Sequence, residues 1–177
     1  MTATATESTS LIAFTLPSTP YSVRMARFYV RAALSYHDLD DFGADAEGVA
    51  SELVTNAITH AGAPNFGVEL MRIQGSGTLA VAVVVTDSSP LPPVLRDPQH
   101  YAEHGRGLHM VAALSAGWNW TPDDAGKAVF AILTRKGQPV EAISDQPMLS
   151  DIDAGYSPSP RSGGKAVPCP EKGNRRR

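Results

Sequence analysis

Glu52-Leu53-Val54-Thr55-Asn56-Ala57-Ile58-Thr59-His60-Ala61 is the stretch on which the fold of this chain turns. Counting from Ala46, apolar residues fall at Ala46, Val49, Ala50, Leu53, Val54, Ala57, Ile58 and Ala61. That is the i, i+3, i+4, i+7 spacing of a helix buried along one stripe. Glu52, Asn56 and His60 follow at i, i+4 and i+8, so they stand one above another beside the stripe. A carboxylate and a carboxamide on a rigid helix at a core's edge can reach a cleft, which suits catalytic or metal-binding groups. Taken alone, polar residues on a helix flank are most often simply solvated.

Upstream, Leu11 to Leu16 alternates Ile12, Phe14 and Leu16 on one face and reads as a strand. Ser18-Thr19-Pro20 then supplies a cap and a first-turn proline for a helix to about Tyr36. Its apolar stripe is expected at Met25, Phe28, Tyr29, Ala32 and Ala33, with Arg24, Arg27 and Arg31 as either a solvated row or a docking surface. An Asp-rich loop, Asp38 to Gly43, leads to the central helix at about Ala44 to Ala61, and Gly62 is its expected stop. Downstream, Phe66 to Ile73 and Thr78 to Thr86 read as a hairpin joined at Gln74 to Gly77. The second of these strands is apolar on both faces and belongs in the middle of a sheet. Ser88 to Gly105 holds Pro90, Pro92, Pro93 and Pro98 and reads as a loop. A helix at about Gly107 to Ser115 follows, then strands Gly117 to Thr121 and Lys127 to Leu133 around the turn Pro122 to Gly126. This order gives an α+β fold: a two-layer sandwich with a mixed, mostly antiparallel sheet and helices on one face.

Composition bounds what the chain can be. At 177 residues it fits one domain plus tail, with a domain expected over 11–137, a flexible N-terminus over 1–10 and a Pro/Ser/Gly-rich tail over 138–177. The tail carries too little apolar residue to order itself. Its single cysteine, Cys169, excludes a disulfide framework and a cysteine-rich zinc site. No apolar run is long enough to span a bilayer and no secretion signal opens the chain, so a cytoplasmic protein without a membrane role is expected. Through Ile143 there are 9 Lys and Arg against 14 Asp and Glu, which gives −5 and argues against a nucleic-acid-binding domain. Beyond it, 6 against 4 gives +2, ending in Arg175-Arg176-Arg177, which reads as a short solubilising tail.

Three features carry the chemistry. Glu52 and Asn56 share a helix, Asp87 stands where the central strand leaves the core, and Gly105-Arg106-Gly107-Leu108 opens a helix after the proline-rich loop. A carboxylate at a strand end can accept hydrogen bonds from an exocyclic amine such as adenine's. Glycines ahead of a helix let backbone N–H groups approach phosphate, where the helix dipole favours negative charge. An amide oxygen like that of Asn56 suits Mg²⁺ held mainly by phosphates and water. Glu52, one turn away, can take a proton from a hydroxyl or water. The loop between Asp87 and Gly105 is long enough to cover a ligand.

This ordered set resembles the Bergerat-fold ATPases, the GHKL superfamily, and most closely the histidine-kinase-like ATPase domains of the anti-sigma-factor serine/threonine kinases. Glu52 to Ala61 matches that family's N-box, Asp87-Ser88-Ser89-Pro90 stands at its first glycine box, and Gly105 to Val111 at its second. Pro17 to Arg31 is similar to its first helix. The resemblance covers about Phe14 to Leu133. It implies a Bergerat ATP-binding fold with ATP and Mg²⁺: Asn56 as Mg²⁺ ligand, Glu52 as general base, Asp87 as adenine anchor, and Gly105, Arg106, Gly107 and Leu108 lending backbone to the phosphate site. It further implies a serine acceptor on a small anti-anti-sigma (STAS-like) partner, sequestration of a sigma factor, and pairing as a homodimer. Two segments depart from the pattern. Ser88, Ser89 and Pro90 replace the first box's glycines, and Ala128 stands where relatives often carry a threonine hydroxyl near the nucleotide. They motivate a second reading, a non-catalytic module that binds nucleotide, or has lost it, and only sequesters a partner.

Three other patterns point elsewhere. His100-Tyr101-Ala102-Glu103-His104 matches the HxxEH order of some zinc peptidases, but Pro98 and Gly105 leave it barely two turns and no third ligand presents itself. His60 beside Ala61-Gly62 reads as a helix-end residue. Trp118 and Trp120 alternate on a strand and read as core or interface, since their surroundings are not basic.

Overall fold

The computed structural model describes residues 7–75, 78–95, 106–123 and 125–135. Five strands form one sheet: β1 (Glu7–Pro17), β2 (Asn65–Gly75), β3 (Thr78–Asp87), β4 (Gly117–Asp123) and β5 (Gly126–Thr134). Three helices, α1 (Pro20–Tyr36), α2 (Gly43–His60) and α3 (Gly107–Leu114), complete it, with a single 3₁₀ turn at Asp40–Phe42. The strand order is β1-β2-β3-β5-β4, and every pairing is antiparallel, where a mixed sheet was expected. Among the described residues no helix is long and apolar enough to cross a membrane.

The main core lies between the sheet and the helices. Val68, Leu70, Val81, Val83, Val85, Val129, Ala131 and Leu133 point into it from the sheet, and Val49, Ala50, Leu53, Val54 and Ala57 from α2. The expected stripe of α2 is the observed one, and Gly62, at φ +67°, ends the segment. Trp118 and Trp120 pack against the same core.

α1 differs from expectation in its phase. Its buried residues are Ser22, Ala26, Val30, Ala33 and Leu34, whereas Phe28 is 64% exposed and Ala32 is exposed. The small side chains Ala26 and Ala33 let the helix lie close to its neighbours, and the large aromatic residues are left at the rim. Tyr29 instead packs its ring on Phe14 of β1, 4.9 Å between centroids. Two of the three arginines tie α1 to α2: Arg31 donates to Glu47 at 2.7 Å and Arg27 at 3.3 Å. The hydrogen bond to Glu47 raises the pKa of Arg31 above the ordinary arginine value.

β1 starts four residues earlier than the apolar pattern indicates, so residues 7–10 belong to the sheet and not to a flexible end. Ser8, Thr9 and Ser10 pair with Ile73, Arg72 and Met71 through their backbones, which needs no apolar side chain. The register shifts between Ser10 and Ile12, a bulge that turns both Leu11 and Ile12 toward the main core.

The sheet is buried on its other face as well. Ile73, Ala80, Ala82, Val84, Ala128, Phe130 and Ile132 form a second cluster there, with Phe130 only 1% exposed. β3 and β5 are therefore apolar on both sides, as the unbroken run Leu79 to Val85 indicates.

Candidate functional site

α3 lies antiparallel against α2. Leu114 packs over Gly48, and at the other end Gly107 faces Glu52 and Asn56. A Cβ on Gly107 would stand 2.7 Å from Glu52 Oε2 and 3.7 Å from Asn56 Oδ1. Only a residue without a side chain lets the first turn of α3 come this near both groups. The carboxylate of Glu52 thus lies beside a helix N-terminus, whose unpaired N–H groups favour negative charge. Both Glu52 and Asn56 are half-buried, held by a helix whose opposite stripe is locked in the core.

The neighbours of Gly107 behave differently. Arg106 is exposed and caps α3, its carbonyl accepting from Met110 N at 3.0 Å. The side chain of Leu108 is in the core, which leaves only its backbone for a ligand. Gly105 and the His100–His104 pattern lie outside the described residues.

Asp87 ends β3, next to the far end of α2. Ser88 Oγ comes within 3.5 Å of the Ala61 carbonyl, and Asn56 lies five residues back along α2, about 7.5 Å by helical rise. The Asp87 side chain is 6% exposed and is paired with Lys127, itself 7% exposed, at 2.8 Å. Lys127 Nζ also donates to the Ser89 carbonyl at 3.2 Å. Ser89 N donates back to Asp87 Oδ1 at 2.8 Å, an Asx turn that takes the place of glycines in this loop. Ser89 Oγ then accepts from Leu91 N at 3.3 Å.

Lys127 is the residue that sequence reasoning missed. It is the one charge at the head of an otherwise apolar strand, which is a signal, but its partner follows only from the register Asp87↔Lys127. The same register corrects the reading of Ala128. Residues 127, 129, 131 and 133 face the helices, whereas Ala128 is buried in the second cluster on the opposite face. A hydroxyl at 128 would not point toward Glu52 and Asn56, so its absence has no bearing on that cleft.

A sequence model of the histidine kinase-like ATPase domain matches residues 16–133. The chain belongs to that family. The matched span runs from the last two residues of β1 to near the end of β5, so this histidine kinase-like ATPase domain takes in the three described helices and strands β2 to β5, with most of β1 lying outside the match. Membership in a family of ATPase domains implies an ATP-binding role. A search of curated proteins finds no match.

The residues present fit a nucleotide. A buried carboxylate, paired with Lys127 through one oxygen, stands at a strand end, and a helix start stripped of its Cβ lies beside an amide oxygen and a second carboxylate. Asn56 and Glu52 offer hard oxygen atoms of the kind Mg²⁺ takes. His60 is exposed at the end of α2, on the side-chain row of Glu52 and Asn56 but a full turn beyond them.

Proposed function

We propose that this protein is an ATP-dependent serine/threonine kinase that phosphorylates an anti-anti-sigma partner and, in its other state, sequesters a sigma factor in the cytoplasm. The observation that carries the reading is the apposition of Gly107 to Glu52 and Asn56. It brings a helix start, an amide oxygen and a carboxylate together within one turn of α2, which supports roles in phosphate binding, metal ligation and proton acceptance. In this reading Asp87 accepts from the base, and the backbone from Gly105 to Leu108 binds phosphate. Asn56 holds Mg²⁺, which neutralises phosphate charge when bound. Glu52 orients the acceptor hydroxyl and takes its proton, although in phosphoryl transfer positioning and charge neutralisation outweigh proton removal.

Glu52→Ala should leave ATP binding near wild type and lower phosphoryl transfer to a serine-bearing partner by about 10²-fold or more. Asn56→Ala should weaken both. Labelled ATP, titrated with and without Mg²⁺ and then offered the partner, reads these effects. Transfer at wild-type rate by Glu52→Ala removes the catalytic role.

A second reading is a nucleotide-binding module that sequesters partners without transferring phosphate. The glycine-free segment Ser88-Ser89-Pro90, tied to Lys127, favours it. Tight Mg²⁺-ATP binding with no transfer to any serine partner would select it over the kinase.

A further inference from the structure

The Asp87–Lys127 pair is expensive for the fold. Moving a carboxylate and an ammonium out of water costs several kcal/mol per ion, and such pairs are often no more stabilising than apolar residues of the same volume. Stability therefore does not explain why Lys127 stands where β5 is otherwise apolar from Ala128 to Leu133. Geometry does. Both hydrogen bonds that the Asp87 side chain accepts among the described residues land on one oxygen, Oδ1: one from Lys127 Nζ and one from Ser89 N, each at 2.8 Å. Lys127 is held in turn by the Ser89 carbonyl. The carboxylate is thus pinned at one oxygen by two donors from different strands of chain, and its remaining oxygen has a fixed direction.

We infer that Lys127 is a positioning residue for base recognition. By pinning Oδ1 it presents Oδ2 of Asp87 as a directed, acceptor-only group, which selects purines bearing a 6-amino group over those bearing a 6-oxo group. The inference rests on the reading of Asp87 as the base anchor. A 6-amino group donates to Oδ2, whereas a 6-oxo group brings a second acceptor against it and leaves a buried polar group unpaired. Sites built to hydrogen-bond a substrate N–H reject such analogues strongly. A carboxylate free to turn would lose much of that discrimination while still binding the phosphates elsewhere.

The test compares the affinities of ATP and ITP, each with Mg²⁺, for the full chain and for Lys127→Arg, Lys127→Gln and Lys127→Met. Folding of each is checked by circular dichroism. Wild type should prefer ATP, Lys127→Arg should keep that preference, and Lys127→Met should reduce it by about tenfold or more through weaker ATP binding. Lys127→Gln keeps a donor without the charge and gives an intermediate ratio; it serves if Lys127→Met does not fold. A folded Lys127→Met or Lys127→Gln with the wild-type ATP-to-ITP ratio overturns the role of Lys127 and leaves the ATP site standing. Failure of the wild type to bind ATP overturns the site and this inference together.

Discussion

Gly107 sets the spacing between Glu52 and Asn56 of α2 and the start of α3, and it does so by lacking a side chain. In Gly107→Ala the new methyl meets the far end of Glu52, a group that can swing aside, and no main chain. The fold should lose less than about 1 kcal/mol, because the clash is relieved by one flexible side chain. Phosphoryl transfer should nevertheless fall steeply, since a misplacement of about 1 Å costs about a hundredfold in a positioned reaction. Thermal denaturation read alongside turnover checks both halves, and an equal loss in the two would refute the spacing argument. Glu52, Asn56, Asp87 and Gly107 were legible in the sequence because each sits in a local pattern of fixed offsets. Lys127 was not, because its partner stands 40 residues away and is found only through strand register.

The two longest helices show which sequence signals decide a packing face. In α2 the apolar residues, small and large alike, recur at one regular helical spacing, so the pattern and the buried stripe coincide. In α1 the largest side chains set the apparent phase, yet the core selected Ala26, Val30, Ala33 and Leu34. Leu34→Ala should therefore cost about 2–5 kcal/mol, the range for a buried leucine, while Phe28→Ala should stay within about 0.5 kcal/mol. Urea denaturation of the two variants decides it, and the reverse order would restore the aromatic stripe. The link between α1 and α2 is weaker than its geometry suggests. Arg27 and Arg31 are 54% and 66% exposed, so their pairs with Glu47 are screened by solvent. Glu47→Gln should cost at most about 1 kcal/mol and less still at high salt, measured as the shift in denaturation midpoint at two ionic strengths.

At the scale of the molecule, the sheet carries apolar residues on both faces, but among the described residues all three helices lie on one side. Phe130→Ala, on the face away from the helices, should cost about 3–5 kcal/mol, as truncation of a buried phenylalanine does, read by urea denaturation. A loss within about 0.5 kcal/mol would sink this expectation. The order of elements, the central place of β3 and the two-layer build were all readable from period and length. The second buried face was visible only as the unbroken apolar run of β3.

Neither margin of the sheet offers a clean template for another strand. On one side the bulge at Leu11 twists β1 out of line, and on the other Pro122 removes a donor from the short β4. Lateral growth from molecule to molecule, the usual hazard of an open ribbon, is discouraged at both borders. Any self-association must then be assembled from side chains meeting face to face, and single substitutions on a surface could tune it without disturbing the backbone ladder.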